Sequence, residues 1–228
     1  HKGTKNPYTD LWAELGDAVA QTRGQEPAAF GFDGKQQMSM RAVNKKFPLL
    51  AAAAHGLGLS SYEACVADQA AGQSRYVARV ICRSTPILCL TTDVAVASDL
   101  AARFHLGRVL AEARLGTSAL EELMADELAA FLATGVVIGE GNPRTILPLA
   151  EVEKADEAAL IFGRLVGRRE KKALRHVLES QPAWTSLLAW REAVRATTRR
   201  AGLLLCGDLG TALALASPAH GAAEIGAD

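Results

Sequence analysis

The sequence predicts an α+β fold, a small and mostly antiparallel sheet packed on a helical bundle. Three observations carry this. Short strand signals cluster between Ser61 and Leu90, whereas helical periods dominate from Leu100 onwards. Strands gathered in one part of a chain and helices in another describe an α+β domain rather than a regular alternation. Alanine is abundant and aromatic residues are only 5% of the chain, a composition that suits closely packed helices.

The elements follow in order. His1 to Asp10 is polar and turn-rich, a segment expected to fray. Leu11 to Thr22 reads as a helix with Leu11, Leu15 and Val19 on one stripe. Gly24 to Gln37 holds Pro27, Gly31 and Gly34 and reads as loop, and Met38 to Phe47 fits helix and strand equally. Pro48 to His55 is a short alanine-rich helix stopped by Gly56 and Gly58. Strands are expected at Ser61 to Ala67, Arg75 to Arg83 and Pro86 to Thr92, with a turn at Ala70 to Gln73.

The stretch from Pro86 to Gly116 organises the rest. Its strand is apolar on both faces, as in a strand covered on two sides or lying beside a helix. Ser98-Asp99 is a helix start, because either side chain can accept from the first free backbone N–H groups. The helix that follows carries Leu100, Phe104, Gly107, Leu110 and Ala111 at helical spacing. A glycine inside a helix costs stability relative to alanine, so Gly107 points to a second backbone that approaches closely. Further helices are expected at Ser118 to Ala133, Glu151 to Val166, Arg169 to Ser180, Trp184 to Cys206 and Leu209 to Ala216. Gly135 stops the first of these and opens a loop to Pro148. The expected organisation is an N-terminal helix-and-loop segment at 1–58, a main domain at 59–216 and a flexible tail at 217–228.

Composition excludes several classes. At 228 residues the chain can bury a real core. Twenty-five basic residues balance 25 acidic ones, so no global field favours nucleic acid or acidic lipid. No window reaches the apolar length of a membrane span. The chain begins with histidine, which is expected of a piece cut from a longer protein. Cys65, Cys82, Cys89 and Cys206 lie in apolar runs without C-x-x-C spacing, as buried thiols of a reducing compartment do, which favours the cytoplasm. A disulfide between neighbouring strands stays open as an alternative.

Familiar catalytic motifs are missing. His1, His55, His105, His176 and His220 are scattered singly, so no metal and no cofactor is expected. No G-x-S-x-G elbow occurs, and GVVIGEG at Gly135 to Gly141 lacks the lysine-serine ending of a phosphate loop. The one dense basic run is Arg164, Arg168, Arg169, Lys171, Lys172 and Arg175. It lacks interleaved aromatics and reads as a solvated helix face that Glu151, Glu153 and Glu157 neutralise, so no nucleic-acid partner is expected. One charge pattern stands out. Arg108 and Glu112 lie one turn apart on the central helix, and Arg195 and Arg199 one turn apart on the long late helix.

The order strand, turn, helix with an internal glycine, then a distant helix carrying R-x-x-x-R-R-A-G resembles the HtpX-like zinc metallopeptidases. In that family the active-site helix carries G-H-E-x-x-H, and a glutamate in E-x-x-x-D on the later helix completes the zinc site. Two histidines one turn apart meet one Zn²⁺, and the glutamate between them activates its water. In this chain Gly107 keeps the family glycine. Arg108 stands at the first histidine, Val109 at the general base and Glu112 at the second histidine, while Arg195 and Arg199 replace the glutamate and aspartate. The run Arg200 to Leu209 is similar to a segment near the end of long bacterial tetratricopeptide-repeat proteins, which carry a degenerate module of this kind. The resemblance covers roughly Ser61 to Ala216 and implies a zincin-like pseudoenzyme with no catalytic residues.

It further implies that Arg108, Glu112, Arg195 and Arg199 converge where the metal would sit, with Glu112 as a cross-link. The strand Ile87, Leu88, Cys89, Leu90 and Thr91 would then be an edge that adds a peptide through backbone hydrogen bonds. The expected function is a non-catalytic binding or scaffolding module of a larger protein, with a protein or peptide partner. Two alternatives remain open. One is an enzyme with rearranged, metal-independent hydrolytic chemistry built on His105, Glu112 and Asp99. The other is a weak nucleic-acid-binding helical domain using Arg164 to Arg175.

Overall fold

The computed structural model describes residues 6–22, 26–69, 74–83, 85–146, 152–180 and 186–216. It is α+β, with many helices and one four-stranded sheet. Its contacts form two compact units, and neither is one continuous stretch. His1–Gln25 joins Ala119–Arg195, and Glu26–Ser118 joins Ala196–Asp228. The linear division expected at 58/59 is therefore replaced by units that exchange chain near Gln25, Ser118 and Arg195. The expected tail, 217–228, lies outside the described residues.

The first unit is helical. Helix α1 (Pro7–Thr22) starts where Asn6 Oδ1 accepts from the Tyr8 N–H at 2.7 Å. It buries Leu11, Trp12, Leu15 and Val19, the stripe its spacing predicts. The single helix expected from Ser118 to Ala133 is two helices, Ala119–Glu122 and Ala125–Ile138. The break falls at Met124, whose backbone is extended and whose N–H donates to the Glu127 carboxylate at 2.8 Å. The second of these runs through Gly135 instead of stopping there. An added Cβ at Gly135 would collide with the buried Leu15 side chain, so this glycine serves contact between two helices rather than a turn. Helices Val152–Phe162 and Arg168–Ser180 follow. The first half of Leu187–Cys206 then brings Trp190 into the same core, its Nε1–H donating to Thr9 Oγ1 at 2.8 Å.

The second unit holds the sheet. Strand β1 (Gln37–Ser39) pairs antiparallel with β2 (Glu63–Ala67), which pairs parallel with β4 (Ile87–Thr91). Strand β3 (Ala78–Ile81) pairs antiparallel with the other side of β4. The sheet order is β1-β2-β4-β3, so the sheet is mixed and β4 lies inside it. Leu88 and Leu90 of β4 enter the larger core, and Ile87 and Cys89 enter a smaller one with Phe32, Cys65 and Ile81. Cover on both faces is the physical reason the β4 sequence is apolar throughout.

Two helices matter for the site. Helices α2 (Met40–Lys46), α3 (Pro48–Gly56) and α4 (Thr92–Ala95) precede the central helix α5 (Leu100–Leu115), which is capped by Asp99, whose side chain accepts from the Ala102 N–H at 2.9 Å. It ends at Gly116 with φ 66°, a left-handed turn that favours glycine. The last part of Leu187–Cys206 lies against it. A Cβ at Gly107 would stand 2.5 Å from the Ala201 carbonyl oxygen, and one at Gly202 2.8 Å from the Phe104 carbonyl oxygen. Two glycines thus let the two helix backbones touch, as the position of Gly107 predicts.

Candidate functional site

The site is built on one face of α5, opposite β3. Arg108 Nη1 lies 2.5 Å from Glu112 Oε1, and Arg108 Nη2 donates to the Ala78 carbonyl of β3 at 3.4 Å. Both side chains are withdrawn from water, with 18% of Arg108 and 6% of Glu112 exposed. A helix thus carries an ion pair one turn long, and the cation of that pair reaches the outer strand of the sheet. In antiparallel pairing, residues alternate between bonding inward and facing outward. Thr91 N–H donates to the Val77 carbonyl, so Ala78 and Val80 turn their backbone groups away from β4. The carbonyl that Arg108 holds is one of these outward groups.

Beside the pair, the Tyr76 ring stacks on the His105 ring with centroids 5.8 Å apart. The Tyr76 hydroxyl donates to Asp99 Oδ2 at 2.8 Å, and Arg75 pairs with Asp93 at 2.9 Å and with Asp99 at 3.5 Å. His105 is pushed down to about 4, first by burial and then by the nearby Arg108 and Arg79 cations. Against the burial that would raise it, Asp99 is held below the usual carboxylate range by the Ala102 N–H and the Tyr76 hydroxyl. His105 is therefore a neutral ring at neutral pH, Asp99 is a helix cap, and Glu112 is tied to a guanidinium. Of the three residues of the rearranged-enzyme reading, Asp99 and Glu112 are each held by a structural partner, and His105 is stacked on Tyr76 with its buried Nδ1 unbonded.

The remaining expected positions fall as follows. Gly107 is at the helix contact, and Val109 is fully buried in the larger core. Arg195 belongs to the first unit and pairs with Glu192 on its own helix at 2.8 Å. Arg199 is exposed. Ile87 to Thr91 do not form an edge strand: β4 has hydrogen-bonded neighbours on both sides, and the sheet ends at β1 and β3. Local pattern cannot give the order of strands, which is why the edge was misplaced by one strand. Tyr76 and the Ala78 carbonyl were missed as site members. The regular alternation from Arg75 to Arg83 carries no mark that singles them out.

The residues do not fit a zinc site. Where the resemblance puts the first ligand there is a cation, and where it puts the base there is a core valine. Among the described residues, no three His, Cys, Asp or Glu side chains gather as metal ligands. All four cysteines are free and buried. The basic run is exposed, Arg164 in the turn after the helix Val152–Phe162 and the others on the helix Arg168–Ser180, where Arg175 pairs with Glu140 rather than with Glu153 or Glu157; Glu151 lies outside the described residues. Among the described residues, no helix is long and apolar enough to cross a membrane. The chain matches no protein-family model, no curated protein and no solved structure.

Proposed function

We propose that this chain is a zincin-like module without metallopeptidase chemistry, a protein- or peptide-binding part of a larger protein. The observation that carries the reading is the Arg108–Glu112 pair and its hold on the Ala78 carbonyl. A salt bridge and a strand contact stand where the resemblance would place metal ligands. A module of the kind found in long bacterial tetratricopeptide-repeat proteins would keep the scaffold in this way and lose the reaction. The order of elements supports the reading too: β3 antiparallel at one sheet end, β4 beside it, then α5 with its glycine contact.

The other end of the sheet, β1, suits an extended peptide, because Gln37 and Ser39 are exposed there whereas Ala78 and Val80 of β3 are buried. A strand added beside β1 would bond to its outer backbone groups. The test has two parts. Elemental analysis of the purified chain should find no stoichiometric zinc, and stoichiometric zinc would overturn the loss of the metal site. Titration with a library of extended peptides should yield binders, and N-methylation of alternate amides in a binder should abolish binding. Binding that survives N-methylation, or a library without binders, would reject strand addition at β1.

A further inference from the structure

We infer that the second unit binds a single-tailed carboxylate, a free medium- or long-chain fatty acid, in an apolar hollow between three helices. The hollow has a volume of about 560 Å³, within the range of small-molecule sites. The helix Pro48–Gly56 supplies Leu49, Ala53 and Gly56, α5 supplies Leu106, and the end of Leu187–Cys206 supplies Leu205. Space exists because the helix Pro48–Gly56 carries alanine and glycine on this side, as does the facing Ala201. A full-length side chain at those positions would close it.

Two features specify the ligand. The lining holds a single charged residue, Arg103. Its Nε donates to the Ala97 carbonyl at 3.5 Å, and among the described residues no carboxylate pairs with it. A cation beside an apolar hollow selects a ligand with an apolar body and one anionic end. A planar guanidinium matches a carboxylate with two parallel hydrogen bonds. The second feature is the rim. Leu49 is 56% exposed and Leu204 79% exposed, two large apolar side chains left in water at the mouth. Exposed leucines around a concavity are typical of a site that something covers. A hydrocarbon tail in the hollow would cover their inner faces. β1 lines no part of this hollow, so the inference stands apart from peptide binding.

The experiment is a titration of the full chain with straight-chain carboxylates of six to sixteen carbons, each below its micelle concentration. Calorimetry or displacement of a fluorescent fatty acid reads the affinity. Each added methylene should strengthen binding about fourfold until the hollow is full, after which the series should level off. The alcohol of the same length should bind about tenfold more weakly, because it cannot form the charged hydrogen bonds. Arg103→Gln should remove that difference without unfolding the chain, since Arg103 is exposed. Gly56→Leu should weaken every member of the series. A Cβ at Gly56 meets nothing within 4 Å, so the longer side chain has room in the hollow, and an unchanged melting temperature would show the fold intact. Absence of saturable binding, equal affinity for acid and alcohol, or binding unchanged in Gly56→Leu would each overturn the inference.

Discussion

Arg108 and Glu112 form a salt bridge 2.5 Å long on consecutive turns of one helix, and the pair is almost closed to solvent. Exposed pairs of this spacing contribute a few tenths of a kcal/mol. A withdrawn pair behaves differently, because removing one partner leaves the other charge buried without compensation. Glu112→Gln should therefore cost about 3–5 kcal/mol, measured by urea unfolding. Replacing both residues by apolar ones of similar size, Arg108→Met with Glu112→Leu, should recover most of that loss. A Glu112→Gln effect no larger than that of a surface substitution would show that the pair is solvated in solution.

Gly107 is the second point at which the site depends on one atom. A methyl group there would stand 2.5 Å from a carbonyl oxygen of the neighbouring helix, and backbone cannot give way as a side chain does. Gly107→Ala should destabilise by about 1–3 kcal/mol despite the better helix propensity of alanine. Gly56→Ala, with open space around the new methyl, should be neutral or raise stability by about 0.5 kcal/mol. Thermal melts of the two variants side by side separate close approach from propensity. If Gly107→Ala melted like Gly56→Ala, the helices would not be in contact at this point.

The central strand and helix were legible because their signals are local. The two-sided apolar run of β4, the Asp99 cap and the unexplained Gly107 can all be read within thirty residues. Where one segment's meaning depends on another, reading failed. Strand β1 is three residues long and runs directly into the helix Met40–Lys46, so Met38 to Phe47 showed neither period cleanly. Gly135 looked like a stop because the Leu15 side chain that requires it is far away in sequence. The interleaving of the two units has no local signature, since each is completed by a return of the chain. At the site, the i, i+4 spacing of Arg108 and Glu112 gave the pair, but only the fold could bring the Ala78 carbonyl to it.

Cys65 and Cys89 are register partners on the parallel strands β2 and β4, both fully buried and both free. Burial pushes Cys89 up to about 12, with the neighbouring Cys65 thiol adding to the effect, and Cys65 itself is raised by burial. Only about one Cys89 in ten thousand would be thiolate at pH 8, and the thiolate is the reactive form. A thiol reagent such as DTNB added to the native chain at pH 8 should leave both unmodified for as long as the fold holds. In guanidinium all four cysteines should react within minutes. Fast modification of Cys89 without denaturant would mean that the sheet opens far more readily than its buried faces imply.

His105 should make the fold sensitive to mild acid. Its folded pKa of about 4 lies below the ordinary histidine value near 6.5, because the ring is buried and the Arg108 and Arg79 cations oppose a second positive charge. The unfolded chain therefore takes up a proton as pH falls through about 6.5, while the folded chain does so only near 4. Stability is complete above the upper value, declines through the window between the two, and reaches its full loss below about 4. The loss is on the order of 3 kcal/mol. Asp99, hydrogen-bonded to the Tyr76 that stacks on His105, favours the charged ring and works against the effect without reversing it. Urea unfolding at pH 7 and pH 4.5 should show this decline in the native chain and a much smaller one in His105→Phe. The phenyl ring keeps the stack on Tyr76 and cannot take up a proton. Equal declines in the two proteins would place the acid sensitivity in the carboxylates and leave His105 with an ordinary pKa.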